Sequence, residues 1–461
     1  MSPIPSAWRE RTPLITERAF AGLERVLQHA DAPKWNRQLG DRVGARDLEK
    51  LAAFRAAVAS APREVELRPS ERITSFVDAL RDRLFALEDL PRGFDVRRDF
   101  DELPTTDREA IARRLEELVP RDLPLDDAVV YSTSATTGHA VIVPSHPAAM
   151  VQNLAHLERA ATLAGVALDP EEGVPFALNL TVQRQTYVFA TTMSGWRGAV
   201  FVKANLAEHD WAGGGASRDR FLSELAPRFI ASEPVTLARA IELGVELRPR
   251  LVVSSAVHLS IAQQASIERS WGTRVVDLYS TTETGPVAVR LPGSEAHVVL
   301  LPDLYVEALD ARGNRVPDGE RGELTVTGGR NPFLPLVRYR TGDYGRLGAL
   351  TLRDGTVARA IFDLEGRAPV SFRAMDGSRV SSVDIARRLR PLAPFVQHAL
   401  VQDRDGSIEL RLKPMAGVPI PLEDFEYALH DIFGSDAVVS VRIDEALGAG
   451  GGKVVAWRVV S

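Results

Sequence analysis

The ten residues from Asp277 to Pro286, DLYSTTETGP, decide how this chain is read. They follow the apolar pair Val275-Val276, so a short buried strand runs out into a hydroxyl-rich turn that carries one carboxylate, Glu283. Layered α/β proteins place ligands outside the carboxyl ends of their strands, and Tyr279 to Glu283 are predicted to stand at such an end. Taken singly, an acidic residue there is as readily a helix cap. The turn gains meaning from what precedes and follows it.

The first hundred or so residues read as helical. Thr106-Asp107-Arg108-Glu109 has the form of a capping box, and Ile111, Leu115 and Leu118 follow at spacings that make one apolar helix face. Similar patterns run through Ile15 to His29, Asp47 to Val58 and Arg72 to Leu87. From Ala128 the texture changes: the runs AVVY, AVIV, PFALNL, GAVFV, LVVSSAV and RVVDLY alternate with helical patterns at Ala148 to Leu163 and Ile261 to Trp271. The alternation predicts an α/β fold with α+β elements, its layered sheets covered by helices.

A chain of 461 residues is too long for one core, and its character shifts again after about Leu364. We expect a large N-terminal domain over 1–365 and a small C-terminal α+β domain over 366–461. In the latter, Val383 to Leu389 and Leu422 to Phe433 read as helices, HALVQDRDGSIELRL as a hairpin turning at Asp405-Gly406, and AVVSVRI as a closing strand.

Composition narrows the functional classes. Apolar content of 45% and charged content of 26% suit a soluble globular protein. A net charge of −6 gives no electrostatic case for nucleic acid or an anionic membrane as partner. The absence of cysteine excludes disulfides, thiolate zinc sites and a thiol nucleophile, which fits a cytoplasmic protein. No stretch of eighteen apolar residues occurs and MSPIPSAWRER lacks a long apolar core, so neither a membrane span nor a signal peptide is expected. His146, His258 and His297 show no metal-ligand spacing and read as polar or core histidines.

Three further stretches carry chemistry. YSTSATTGHAVIVPSH, from Tyr131 to His146, puts six hydroxyl residues and a glycine in its first eight positions. That suits an ordinary turn or an anion-binding nest of backbone N–H groups. YRTGDYG, from Tyr339 to Gly345, suggests a turn presenting Asp343. Lys453 is one of five lysines among 56 basic residues and follows the glycines at 448, 450, 451 and 452. A Walker A loop is ruled out there, because Leu447 and Val454 stand where glycine and Ser or Thr are required.

In the order TSATTG, YSTTE, YRTGD and a Gly-Lys near the C-terminus, these pieces resemble the adenylate-forming (acyl/aryl-CoA synthetase) superfamily. The chain looks most like its phenylacetate-CoA ligase branch, on FDELPTTDREAIARRL and on YVEALDARGNRVPDGERGELTVTG leading into LVRYRTGD. The resemblance implies a ligase that uses ATP and Mg²⁺ to join a carboxylic acid to AMP and then passes the acyl group to a thiol, that of coenzyme A. It implies that Ser134, Thr136, Thr137 and Gly138 cradle the ATP phosphates. Ser255 and Ala256 would lie along the adenine, and Tyr279 would stack on it. Thr282 would contact the α-phosphate, Glu283 would hold Mg²⁺, and Asp343 would accept from both ribose hydroxyls. Arg367 would mark the hinge of a mobile C-terminal domain that delivers Lys453 to the α-phosphate.

The sequence departs from that pattern at Ala135, where relatives usually have glycine, and at His139, where this branch usually has lysine. Val257 replaces a common glutamate, and Ala368-Pro369 follow the hinge arginine. The stretch LTVQRQTYVFATTMSGW offers Gln183, Tyr187, Phe189, Met193 and Trp196 for the acid, which the branch suggests is aryl or arylacetic; the competing reading is a helix with its aromatics in the core. Two alternatives to coenzyme A ligation stand beside it: transfer to a carrier protein or an amine, and a silent nucleotide-binding homologue.

Overall fold

The computed structural model describes residues 3–60, 67–126, 128–132, 141–366, 370–389, 391–393, 395–448 and 454–460. Among these, one thirteen-stranded sheet dominates. Its order is Leu304–Leu309, Arg321–Gly328, Leu336–Thr351, Val357–Gly366, His297–Val299, Gly285–Arg290, Arg274–Thr281, Leu251–Ser255, Phe229–Ser232, Pro175–Thr181, Ala199–Asn205 and Phe189–Met193. The short Thr106–Asp107 segment pairs in parallel with Tyr339 and Arg340.

The stretch from Arg274–Thr281 to Ala199–Asn205 is parallel. Parallel strands covered on both faces need continuous apolar runs, which PFALNL and LVVSS supply. On one face Leu178, Val202, Ile230, Val252 and Val275 pack against Glu17–Leu27, Gly214–Leu225, Pro234–Glu242 and Ile261–Trp271. On the other, Ala177, Phe229, Val253 and Val276 meet Ala45–Ala59 and Pro147–Leu163. The remaining strands, from Gly285 to Gly366, pair antiparallel. The expected α/β class with α+β elements is what forms.

Four local expectations change. Thr106 does not cap the following helix; it joins the sheet, and Asp107 caps Arg108–Arg113 by accepting from the Ala110 N–H at 2.8 Å. The helix expected over 72–87 ends at Asp78, and a 3₁₀ turn forms at Phe85–Leu87. Asp343 lies inside the sixteen-residue strand Leu336–Thr351 rather than on a turn. Pairing registers shift beside it at Tyr344 to Arg346, which re-aims side chains without ending the strand. The LTVQRQTYVFATTM stretch forms an irregular connection and then the Phe189–Met193 strand, not a helix.

After Gly366 a second core gathers Phe372, Ile385, Leu400, Leu410, Phe425 and Phe433. Its four-stranded sheet runs Val439–Ile443, Ile408–Pro414, Phe395–Gln402, Trp457–Val459. The expected hairpin and both helices, Ser382–Leu389 and Leu422–Phe433, are present. The AVVSVRI strand is not the last one, because Trp457–Val459 returns to pair with Leu400–Gln402. Gln263 Nε2 donates to the Val396 carbonyl at 3.3 Å, joining this sheet to the Ile261–Trp271 helix. Among the described residues no helix is long and apolar enough to cross a membrane.

Candidate active site

The sheet brings the DLYSTTETGP and YRTGDYG stretches together. Tyr279, near the end of the Arg274–Thr281 strand, donates its hydroxyl to Asp343 Oδ2 at 2.9 Å and to Thr341 Oγ1 at 3.2 Å. Thr341 passes its own proton to the Leu324 carbonyl at 2.8 Å. Burial, then the charge of Asp343, pushes the Tyr279 phenol well above its ordinary range, so it stays a donor. Asp343 is half-buried and its orientation is fixed from two sides, since its N–H also bonds to Thr341 Oγ1 at 3.1 Å.

The next turn is locked by two threonines. Thr281 N donates to Thr284 Oγ1 at 3.3 Å, Thr284 N to Thr281 Oγ1 at 3.1 Å, and the Thr284 hydroxyl to the Gly285 carbonyl at 2.8 Å. Gly285 is needed for its φ of +66°, and an added Cβ would meet Asn153 Oδ1 at 2.9 Å. The lock leaves Thr282 exposed at the tip and turns Glu283 inward, where it is only 6% accessible.

Glu283 has two neighbours that sequence reading did not single out. Arg108, the first residue of its helix, approaches Glu283 Oε1 through Nη1 at 3.4 Å. Tyr339 stands beside the same carboxylate; burial and then the Glu283 charge raise its phenol far above the usual value. Arg108 lay within the DREAIARRL segment already noted, so its sequence signal existed, but nothing local tied it to a residue 175 positions away. Among the described residues no group of three or more His, Asp or Glu is arranged to hold a metal. A single carboxylate still suits Mg²⁺, which keeps waters and phosphates in its shell. The Arg108 side chain is 37% exposed, so the buried Glu283 carboxylate meets a partner that reaches solvent.

Ser255 ends its strand half-buried, and Ala256 follows in the left-handed region at φ +72°. Such strain in a non-glycine residue is a functional marker when it sits beside a site. Ser134, Thr136, Thr137 and Gly138, with Ala135 and His139, lie outside the described residues, as do Arg367, Ala368, Pro369 and Lys453. The flanks of the first of these stretches are placed: Val129–Ser132 and Ile142–Ser145 form a hairpin, and Val143 packs with Ile111, Leu336 and Tyr339. His146 caps the Pro147–Leu163 helix by accepting from the Ala148 N–H at 2.9 Å.

The residues offered for the acid do not converge. Trp196 is 2% accessible, packed on Phe176 and Phe229, with Nε1 donating to Glu158 at 2.8 Å. Tyr187 is exposed beneath the Arg37 guanidinium, and Gln183 is exposed. Phe189 is half-buried against Phe201, with Met193 two register steps along the same strand face. The partner of Phe189 across the strand pair is Lys203, whose ammonium is pushed to lower pKa by burial.

Comparison with known proteins follows from this geometry. The family model of AMP-binding enzymes matches residues 51–331. A phenylacetate-coenzyme A ligase of Aromatoleum evansii is 28% identical over 168 residues, covering 34% of this chain and 37% of that one. A second, from Pseudomonas putida, is 35% identical over 106 residues, covering 22% of this chain and 24% of its own length. The chain therefore matches well under half of either ligase. A crystal structure of 2-hydroxyisobutyryl-CoA ligase in the postadenylation state, in complex with 2-HIB-AMP, has a TM-score of 0.63 at 15% identity, covering 84% of this chain and 87% of that one. At that identity the likeness speaks for the fold.

Proposed function

The chain belongs to the AMP-binding enzyme family, and from that premise we propose that it is an acid–thiol ligase. It activates a carboxylic acid with ATP, releases pyrophosphate, and passes the acyl group to the thiol of coenzyme A. The observation that carries this reading is the 2.9 Å bond between Tyr279 and Asp343, which joins two motifs 64 residues apart, with Glu283 and Asp343 both acting on the neighbouring Tyr339.

In the first half-reaction the acid's carboxylate oxygen attacks the α-phosphorus and the bond to pyrophosphate breaks. Negative charge grows on phosphoryl oxygens there, so fixed donors and cations aimed at them account for most of the acceleration. Asp343 accepts from the ribose hydroxyls, and Tyr279 holds it in place while offering a ring face to the adenine beside Ser255 and Ala256. Thr282 donates to the α-phosphate from the turn tip. Glu283 would hold Mg²⁺, which neutralises phosphate charge when bound. Ser134, Thr136, Thr137 and Gly138 cradle the departing pyrophosphate, and Lys453 brings its ammonium to the α-phosphate and the attacking carboxylate.

For the second half-reaction we take residues 366–461 as a small mobile domain that swings about Arg367 and carries Lys453 away before the thiol attacks. The branch points to an aryl or arylacetic acid, and the half-buried Phe189 and Phe201 offer aromatic walls for it. The lack of cysteine suits a cytoplasmic setting.

Exchange of labelled pyrophosphate into ATP across a panel of carboxylic acids, without coenzyme A, tests the reading. Exchange with at least one aryl acid is expected, followed by thioester when coenzyme A is added. No exchange with any acid would reduce the protein to a silent nucleotide binder, and exchange without thioester would point to a carrier protein or amine. Lys453→Ala should lower exchange by about 10²–10³-fold, as for loss of one transition-state donor. It should spare thioester formation from supplied acyl-adenylate, and equal loss of both halves would remove that lysine from its role.

A further inference from the structure

Behind the Glu283 turn lies a buried charge cluster that none of the motifs includes. Arg330 is 8% accessible, and all five of its N–H donors are engaged. Nε donates to Asp303 Oδ2 at 2.7 Å, and Nη2 to Asp303 Oδ1 at 3.1 Å and His156 Nε2 at 2.8 Å. Nη1 donates to the Thr284 carbonyl at 3.2 Å and the Pro286 carbonyl at 2.7 Å. Those two carbonyls flank Gly285, and the register between the Arg274–Thr281 and Gly285–Arg290 strands shifts just beyond, between Pro286 and Ala288. His156 Nε2 also lies 3.1 Å from Asp303 Oδ1, and a 230 Å³ cavity opens against Arg330 and Asp303 between Phe54 and Phe76.

Buried ion pairs add little net stability compared with apolar packing of the same volume. A guanidinium with every donor committed has instead a directional consequence, since its rigid planar fork fixes the groups it touches. Here it spans three segments, the Pro147–Leu163 helix through His156, the Asp303 entry to the Leu304–Leu309 strand, and the Thr281–Pro286 turn. Gly285 is clamped from the same side: an added Cβ would come within 3.0 Å of Arg330 Nη1. The turn thereby holds the exposed Thr282 and the inward-turned Glu283 at one setting.

We propose that Arg330, held by Asp303 and His156, is a positioning residue that aims the Glu283 carboxylate at the metal accompanying the nucleotide. It acts through the Thr284 and Pro286 carbonyls and touches neither metal nor nucleotide. The inference rests on the assignment of Glu283 as the metal ligand in the reading above. Lysine has three donors on a flexible stem and cannot span Asp303 and both carbonyls, so Arg330→Lys retains charge while releasing the turn.

The test compares binding of Mn²⁺·ATP, by electron paramagnetic resonance of free Mn²⁺, with binding of ATP in EDTA by calorimetry, in the full chain. The wild type should gain affinity from the metal, and Glu283→Gln should lose that gain. Arg330→Lys should lose about 10-fold or more of the metal-dependent gain, the range seen when groups orienting a metal ligand are removed. Its ATP affinity in EDTA should stay within about twofold, a split that general loosening of the fold does not give. A folded Arg330→Lys with the full gain overturns the proposal. Should that variant fail to fold, Asp303→Asn keeps the shape and weakens the hold on Arg330; it should shift the gain in the same direction, and an unchanged gain overturns the proposal equally. If Glu283→Gln keeps the wild-type gain, the metal assignment itself falls and the positioning role with it, whereas failure of Arg330→Lys alone leaves that assignment standing.

Discussion

The parallel and antiparallel parts of the main sheet are buried by different chemistry. Across the parallel strands Leu178, Val202, Ile230, Val252 and Val275 are all fully inaccessible. Across the antiparallel strands the interior also holds Glu307, Glu323, Arg338 and Arg359, each paired with an opposite charge. Apolar burial is non-directional and accounts for most of the stability. Ion pairs with fixed fork geometry contribute direction and little stability. Apolar packing runs through both halves, and the antiparallel half adds most of the directional ion pairs, with Tyr279, Thr282 and Glu283 at the seam.

The largest effect that would break this contrast is at Arg338. It is 2% accessible, bonds Glu307 at 2.9 and 3.3 Å, and donates to the Asp101, Leu103 and Gly313 carbonyls. Arg338→Met leaves Glu307 buried without its partner and should cost about 4 kcal/mol in urea unfolding. Adding Glu307→Leu should recover most of that loss, because an apolar pair of similar volume replaces the charges. Pyrophosphate exchange should stay low in the double variant, since residues 101–103, which lead into Arg108, have lost their tether. A double variant that recovers both stability and exchange would show that the charged half does no aiming.

Leu178→Ala is the matching probe of the apolar half. It should lower unfolding free energy by about 3 kcal/mol through lost transfer and a cavity. The KM for ATP should stay within twofold, and a rise beyond that would mean the parallel strands set the site's geometry too.

Tyr279→Phe sits on the seam and should have a smaller effect. Losing one hydrogen bond to a charged acceptor costs about 1–2 kcal/mol. It should appear as a raised KM for ATP with kcat nearly retained, because Asp343 binds the ribose equally in ground and transition states. A fall in kcat alone would place Tyr279 nearer the reacting phosphorus than the cleft suggests.

The same division explains what the sequence disclosed. Parallel strands such as PFALNL and LVVSS were legible because both faces are apolar, and the Ile261–Trp271 helix because Ser260 and Gln263 form a capping box at its start. The long strand through Asp343 was not, since RTGDYG carries turn residues whose conformation is overridden by pairing on both sides. Glu283 and Asp343 stood out in the sequence as motif residues, whereas Arg108, Tyr339, Arg330, Asp303 and His156 did not. Each of those contacts a partner remote in sequence, and a spacing pattern holds no record of such contacts. Trp196 follows the competing core reading: its ring packs on Phe176 and Phe229 and Glu158 takes its N–H.

The smallest effect is a pH dependence that separates the two halves without altering the site. Burial, and then the Arg330 charge, lowers the pKa of His156 against the opposing pull of Asp303, so the folded protein holds that imidazole neutral. In the unfolded chain it titrates near about 6.5. Stability from this difference is complete above that value and is lost as pH falls toward the lowered folded value, because only the unfolded chain takes up the proton. Asp303 behaves alike at lower pH. Burial works to raise its carboxyl, but the Arg330 charge outweighs it and holds the group below the usual range, so its contribution is lost only as pH falls below about 3.9. His156→Gln should therefore match the wild type's pH slope of stability above pH 7. Below about 6.5 it should show a shallower decline, the difference not exceeding about 1.4 kcal/mol per pH unit for one proton. Urea unfolding at half-unit steps from pH 7.5 to 5 measures this. Equal slopes would mean that His156 takes up its proton alike in the folded and unfolded states, so that burial beside Arg330 does not hold the ring neutral.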